Sequence, residues 1–237
     1  MKYFMGLVCA FILSFAHAGV GLETGKLTEI VKSAVSVVDG IEPGHTEDLS
    51  FTVLSKFDEY VISESYDPKR PPEKRWALDS VDGRAPTDIH VVQYKQRKDG
   101  EMEKIKAGQA EGKKWLAWYI DMNTLQLESD SDTELRVSFA PLLKDFDKAE
   151  QKKLRGELLI NKVDGYVKKV TVVNAEPLSP NFLMKATLWK QEYFMQRLQD
   201  GHYALKKMIS KFKGRQLFVD VEHTIIPEYS NYSFVGK

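Results

Sequence analysis

Histidines could supply metal or acid–base chemistry, and in this chain they are scattered. Beyond residue 18 they are His45, His90, His202 and His223, and none forms an H-E-x-x-H motif or another i, i+4 pair. Such a pair is what brings two imidazoles to one zinc ion. We therefore interpret each histidine as a surface or turn residue and predict no metal site.

Nucleophiles are equally scarce. Cys9 is the only cysteine, the chain has no G-x-S-x-G motif, and it has no glycine loop of the kind that cradles phosphate. Glu222 and His223 are neighbours, but successive residues of a strand point to opposite faces of a sheet. The sequence therefore predicts a protein that is not an enzyme, with no catalytic residue and no cofactor.

One acidic tract, "ESDSDTE", could attract a hard cation. Asp130, Asp132 and Glu134 alternate there. An EF-hand loop that began at Asp130 would need glycine at its sixth position and glutamate at its twelfth, where this chain has Leu135 and Pro141. We interpret the tract as a solvated turn between two strands.

The first residues have the pattern of a secretion signal. Lys2 precedes an apolar run over 6–15, and Ala16-His17-Ala18 matches a signal-peptidase site. The run is shorter than the ~20 residues that span a bilayer. We predict a cleaved signal peptide at 1–18 and a single exported domain at 19–237. That domain contains no cysteine, so its stability depends on burial of apolar surface.

Charge limits the partners. The chain has 34 basic and 34 acidic residues and a formal net charge of +0. This balance argues against nucleic acid, and against a broad contact with anionic lipid. No second apolar segment is long enough to cross a membrane, so no transmembrane segment is predicted.

The elements follow from hydrophobic periodicity. Apolar residues at i, i+3 and i+4 predict a helix over 22–39, and Thr87 is a natural N-cap for a second helix over 87–98. The charged segment 98–114 is expected to be a mobile loop or a fraying helix end. Most of the remainder alternates as strands do, including "WLAWYIDM" at 115–122, and we expect ten or eleven strands in total.

Glycine turns set the predicted register of the last strands. Two-residue turns are expected at Asp164-Gly165, Asp200-Gly201 and Lys213-Gly214. The register pairs Tyr193 with Met208 and leaves both faces of the sheet largely apolar. One face collects the candidate ligand-contacting residues, which are Tyr193, Met195, Met208, Phe212, Leu217, Val219 and Val221. That face is interpreted as an ordinary core layer, as the wall of a hydrophobic cavity, or as a protein-docking surface.

Three segments carry a resemblance to a known superfamily: "WALDSVDGRAPT" at 76–87, the hairpin at 154–180 and "FKGRQLFVDVEHTIIPEYSNY" at 212–232. They resemble uncharacterised exported proteins of Gram-negative bacteria, and their strand order is similar to that of the LolA/LolB-like outer-membrane lipoprotein-sorting superfamily. The resemblance implies a mainly β fold, an open antiparallel half-barrel with helices acting as a lid or plug. It also implies an apolar concave side that holds acyl chains or lipoproteins in the periplasm, without a cofactor.

Two functions are consistent with these features. The first is a non-enzymatic binding protein for a hydrophobic ligand, either an acyl chain or a lipid-modified protein. The second is a cell-envelope interaction module whose groove is filled by its own helices and takes no lipid.

Overall fold

A computed structural model describes residues 24–38, 48–106, 115–143 and 146–235. The predicted signal peptide lies outside these ranges. The described chain is mainly β, and eleven strands form one open antiparallel sheet with β3 (Trp76–Val81) and β4 (Gln126–Asp130) at its edges. The predicted mainly β, open antiparallel architecture is confirmed.

The sheet joins strands that are far apart in the chain. Its order is β3-β2-β1-β11-β10-β9-β7-β6-β5-β4, and β8 pairs with part of β9. The remaining strands are β1 Leu49–Lys56, β2 Val61–Tyr66, β5 Glu134–Phe139, β6 Leu154–Asn161, β7 Tyr166–Asn174, β8 Leu178–Asn181, β9 Met184–Arg197, β10 Tyr203–Gln216 and β11 Val219–Phe234. Among the described strands, β1 pairs with β11 and so joins the N-terminal hairpins to the rest of the sheet.

Two long helices lie near the predicted positions. The first, α1, spans Thr24–Val38, and α2 spans Asp88–Lys106. Thr87 caps α2 as predicted, because its Oγ1 accepts a hydrogen bond from the His90 N–H at 3.4 Å. The prediction of a loop from residue 98 is wrong as far as residue 106. Glu, Met and Lys favour helix and continue it beyond Gly100, while 107–114 lie outside the described residues.

A short helix replaces a predicted strand. Trp115–Tyr119 forms α3, where the apolar run had indicated β structure. Leu116 and Ile120, four residues apart, are both buried against the cluster that contains α1. Periodicity cannot separate a helix from a strand in a short, wholly apolar run, and contact with α1 determines the outcome here. A fourth helix, α4, spans Lys148–Gln151.

The predicted turn at Lys213-Gly214 is wrong. Gly214 lies inside β10 and pairs with Val221, and the hairpin turns at Leu217-Phe218. A Cβ at Gly214 would stand 2.0 Å from the Lys185 carbonyl oxygen. The glycine therefore permits close approach of two strands and does not make a turn.

The other two glycine turns are longer than predicted. Residues 162–165 connect β6 to β7, with Gly165 at φ +68°. Five residues connect Arg197 to Tyr203, and an irregularity after Leu205 compensates for the difference. Tyr193 therefore pairs with Met208 as predicted.

The inner face of the sheet carries the core. Buried apolar side chains of α1, α3, β5–β7, β9 and β10 form the main cluster. Val31, Val35 and Val38 of α1 are at most 2% exposed. On the same face, β1, β2 and β3 carry an aromatic cluster centred on Phe51, whose ring stacks on that of Tyr66 at 5.1 Å. Helix α1 therefore covers one half of the inner face.

The outer face is stabilised by charge. Glu192 is buried, and its carboxylate binds Lys169 Nζ at 2.6 Å and Lys190 Nζ at 3.0 Å. Burial by itself raises the pKa of Glu192, but hydrogen bonds from both lysines outweigh it and leave the pKa lowered. Glu228, which is only half-buried, also lies between two lysines, Lys56 and Lys207. The prediction that this face is apolar is therefore wrong.

Candidate ligand cleft

A cleft lies between α2 and the hairpin of β2 and β3. Its volume is about 620 Å³, within the ~300–1,000 Å³ typical of ligand sites. The lining residues are Tyr60, Ile62, Leu78, Val81, Asp82, Arg84, Ala85, Thr87, His90, Gln93, Tyr94 and Arg97. The strands supply mainly apolar side chains and α2 supplies polar ones, so the cleft is amphipathic.

A buried glutamate attaches the middle of α2 to the sheet. Glu64 of β2 is 6% exposed, and its Oε2 lies 3.2 Å from Arg97 Nη2 and 3.3 Å from Lys98 Nζ. Lys98 Nζ also lies 3.8 Å from the centroid of the Trp76 ring, a cation–π contact. Together these contacts hold α2 beside the sheet and leave the space under its first turns open.

The first turn of α2 forms the polar side of the cleft. The Thr87 N–H donates to His90 Nδ1 at 3.3 Å, so in the neutral ring the proton is on Nε2. Arg84 is exposed nearby, and its guanidinium makes no hydrogen bond or ion pair within the described part of the chain. A hydrogen-bond donor and a cation are thus available at the mouth of the cleft.

Three of the predicted ligand-contacting residues lie on the sheet beside α1. Met195 is 4% exposed and belongs to the main core. Tyr193 packs against that core, and its partner Met208 is half-buried. These three share one face, and none of them lines the cleft under α2.

The other four predicted residues lie toward the far end of β10 and β11. Phe212 is buried in a second core cluster, and Val221 packs against it. Val221 also lines a smaller cavity of about 460 Å³. Leu217 and Val219 are 67% and 62% exposed at the hairpin tip.

A row of paired residues, called the lateral row, runs across neighbouring strands from the cleft to the predicted ligand-contacting residues Met208 and Tyr193. Ile62 pairs with Ser55, and Ser55 pairs with Pro227. The register of β10 with β11 places Met208 opposite Pro227, and Met208 in turn pairs with Tyr193. Neighbouring strands are ~4.8 Å apart, so Ile62 and Met208 are on the order of 15 Å apart along one face.

Sequence reasoning missed the residues that line the cleft. They come from one hairpin, one connecting segment and one helix, and none matches a motif. The one available signal was the Thr87 cap, which placed the start of a helix immediately after a short strand ending at Asp82-Gly83. Only the packing of α2 against β2 and β3 shows that a cleft exists there.

Catalytic and metal chemistry finds little geometric support in the described residues. No group of three or more metal-ligating side chains occurs among them. Ser210 and Lys213 have the Ser-x-x-Lys spacing of some acyl-transfer enzymes, but three residues apart on β10 they face opposite sides of the sheet. Across the ranges that the structure describes, no helix has the length and apolar character needed to span a bilayer.

No protein-family model and no curated protein sequence matches the chain. Solved structures that resemble it include a domain assigned by name to outer-membrane lipoprotein sorting, from Vibrio parahaemolyticus, with 10% identity and a TM-score of 0.38 over 90% of this chain and 93% of that one. Another is a DUF1329 family protein from Desulfovibrio piger, with 8% identity and a TM-score of 0.32 over 87% and 94% of the two chains.

Proposed function

We propose that the protein is a non-enzymatic periplasmic binding protein for a hydrophobic ligand, an acyl chain or a lipid-modified protein, that acts in envelope lipid or lipoprotein trafficking. The observation that supports this most is the cleft of about 620 Å³ under α2. It has the size of a ligand site and an apolar wall formed by the sheet. The ligand needs no cofactor.

The two walls of the cleft suit an amphiphile. Ile62, Leu78 and Val81 contact the apolar part of the ligand, and transfer of that part from water supplies the binding free energy. Arg84 and His90 at the mouth face its polar end. Helix α2 acts as the lid, since the ion pairs of Glu64 hold it over the cleft.

Longer acyl chains extend along the lateral row. In this arrangement Met208 and Tyr193 are the distal contacts, where a flexible thioether accommodates different chain lengths. Met195, Phe212 and Val221 support the floor of the site from the core. Leu217 and Val219 lie outside it.

Filling the cleft tests the proposal. Ala85→Trp places a large side chain at an exposed position of the lining, so folding should be unaffected. We expect the affinity for a fluorescent fatty acid to fall at least about tenfold, as in loss of an apolar pocket contact. The matched control is Ala175→Trp, which is exposed on the loop between β7 and β8 and lies outside the cleft lining.

Two results would contradict the proposal. One is wild-type protein that binds no fatty acid and carries no lipid in native mass spectrometry after purification from its host. The other is Ala85→Trp protein that binds the probe as the wild type does.

Met208→Lys tests the lateral row. This substitution should weaken the binding of long acyl chains more than the binding of short ones.

One observation favours the alternative function, an interaction module that takes no lipid. Helix α1 already fills half of the inner face, where Val31 and Val38 are fully buried. For such a module we expect no probe binding and no effect of Ala85→Trp. The fatty-acid titration therefore distinguishes the two functions.

A further inference from the structure

Two neighbouring hairpins end in large apolar side chains. Phe182 and Leu183 form the turn between β8 and β9, and Leu217 and Phe218 form the turn between β10 and β11. The Leu217 N–H donates to the Leu183 carbonyl at 2.9 Å, which joins the two turns. Phe182, Leu217, Phe218 and Val219 are 86%, 67%, 74% and 62% exposed, and they are called the apolar tip below.

The backbone of the second turn is strained. Leu217 and Phe218 have φ values of +48° and +68°. Two-residue turns with this geometry favour asparagine and glycine, because a Cβ is disfavoured in the left-handed region. The turn therefore presents two apolar side chains to solvent and strains its backbone to do so. Neither solubility nor folding requires this arrangement.

The base of the apolar tip carries cations. Lys185, Lys213 and Arg215 line the adjoining cavity of about 460 Å³. Lys213 pairs with Glu222 at 2.7 Å and Arg215 with Asp220 at 3.1 Å. Lys185 makes no ion pair among the described residues, so one positive charge beside the tip is uncompensated.

We infer that the apolar tip inserts into the surface of a lipid bilayer and prefers one that contains anionic lipid. Its exposed area is on the order of 500 Å², less than the ~800 Å² per partner of a stable protein interface. Insertion to the depth of the headgroups needs no complementary pocket. The zero net charge of the chain agrees with a small membrane contact of this kind. Insertion of the apolar side chains dominates the binding, and Lys185 adds the preference for anionic lipid.

The tip and the cleft lie toward the same end of the sheet. Asp58, in the loop between β1 and β2, accepts a hydrogen bond from the Thr224 N–H at 3.2 Å. Thr224 is five residues from Val219, or roughly 17 Å along an extended strand. Tyr60 of the same loop lines the cleft, so insertion of the tip directs the cleft end of the molecule toward the membrane.

Cosedimentation with vesicles tests the inference. The exported protein, from which the predicted signal peptide has been removed, is mixed with phosphatidylcholine vesicles, and separately with vesicles that also contain phosphatidylglycerol. We expect binding to both, and stronger binding to the second by about fivefold, the effect of one cation near an anionic surface. Lys185→Gln should remove the difference between the two.

Replacing the tip provides the decisive variant. Phe182→Ser/Leu217→Asn/Phe218→Gly removes the inserting side chains and installs the Asn-Gly pair that this turn favours. We expect vesicle binding to fall at least about tenfold while the melting temperature stays equal or rises, because the strain is relieved. Phe182→Ser alone, at a residue that is 86% exposed, should give a smaller loss.

Val163→Ser is the matched control. Val163 is 75% exposed in the turn between β6 and β7, at the opposite end of the sheet, and its replacement should leave vesicle binding unchanged. Ala85→Trp should also sediment as the wild type does, which separates this inference from the proposed function. The inference would be overturned by wild-type protein that sediments with neither kind of vesicle, or by a tip variant that sediments with them as the wild type does. So would wild-type protein that instead dimerises through the tip in light scattering.

Discussion

Several single residues have roles that depend on one close contact. Gly214 lies where the Lys185 carbonyl approaches β10, and Gly156 lies under the ring of Phe139 at a distance that leaves no room for a Cβ. Glu192 keeps its charge in a buried position because two lysines bind it. Each of these residues is specified by a neighbour on another strand.

Replacement of Gly214 tests the close approach. Gly214→Ala puts a Cβ 2.0 Å from the Lys185 carbonyl oxygen, so β9 and β10 must separate. We expect a loss of about 1–3 kcal/mol in the free energy of unfolding, as in other overpacked sites. Gly25→Ala in α1 is the control, since nothing lies within 4 Å of its Cβ and alanine favours helix. Equal stability of both variants in urea unfolding would contradict the expectation.

Glu192 should make stability depend on pH. Its pKa is lowered in the folded protein, so its contribution is present above the unfolded pKa of ~4.3 and is lost as the pH falls through the lower folded value. Glu192→Gln should cost about 1–3 kcal/mol at pH 7 and progressively less as the pH falls below ~4. Glu222→Gln, in an exposed pair, should change little at any pH. Thermal unfolding of both variants from pH 3 to 7 provides the measurement.

At the level of elements, the two long helices contact the sheet differently. Helix α1 is amphipathic and buries its valines in the main core, as its spacing of apolar residues predicts. Helix α2 has no such apolar stripe: Ile89 and Val92 point to solvent at 68% and 54% exposure. Its attachment relies on Glu64, on Trp76 and on one buried aromatic residue, Tyr94, so α2 should open more readily than α1.

The core role of α1 can be measured by truncation. Val31 is fully buried, so Val31→Ala leaves a cavity against β7 and should cost roughly 1–3 kcal/mol. Val37 is on the solvent side of the same helix with 36% exposure, and Val37→Ala should cost well under half as much. Denaturant unfolding of the two variants checks the orientation of the helix.

The attachment of α2 can be measured by hydrogen exchange. Glu64→Gln keeps the size of the side chain but removes the charge that binds Arg97 and Lys98. We expect the amides of α2 to exchange about tenfold faster, with little change in α1. Glu29→Gln, whose partner Lys32 is exposed on α1, is the control. Unchanged exchange in the first variant would mean that other contacts hold the lid.

At the level of the whole molecule, the two ends of the sheet differ. The end with the cleft presents Tyr60, the start of α2 and the apolar tip. The other end presents the turn at 162–165 and a loop closed by Arg197 and Asp164, which bind each other at 2.8 Å. The two ends of the sheet therefore expose different side chains, apolar at the tip and charged beside the turn at 162–165.

A fluorescent label can report that orientation. In a Cys9→Ser background, an environment-sensitive dye at Phe182→Cys should shift to the blue when vesicles are added, since the label enters the headgroup region. The same dye at Val163→Cys should show no shift. Equal shifts at both positions would indicate adsorption without a preferred end.

Elements with a local signal could be predicted from the amino-acid pattern. The spacing of apolar residues in α1 and the Thr87 cap of α2 agree with the structure. Strand alternation indicated the mainly β fold. Those signals act over a few residues, through side-chain periodicity and backbone sterics.

The places where those elements meet depend on contacts between distant residues. Gly214 permits the close approach of β9. The turn lies at Leu217 instead, where the Leu217 N–H donates to the Leu183 carbonyl of the neighbouring hairpin. Trp115–Tyr119 is helical because it packs with α1. The cleft is formed by β2, β3 and α2, a unit joined to the rest of the sheet through pairs such as Lys56 with Ile226. Contacts between residues so far apart in the chain leave no periodic trace in sequence, since each strand could pair equally well with several others.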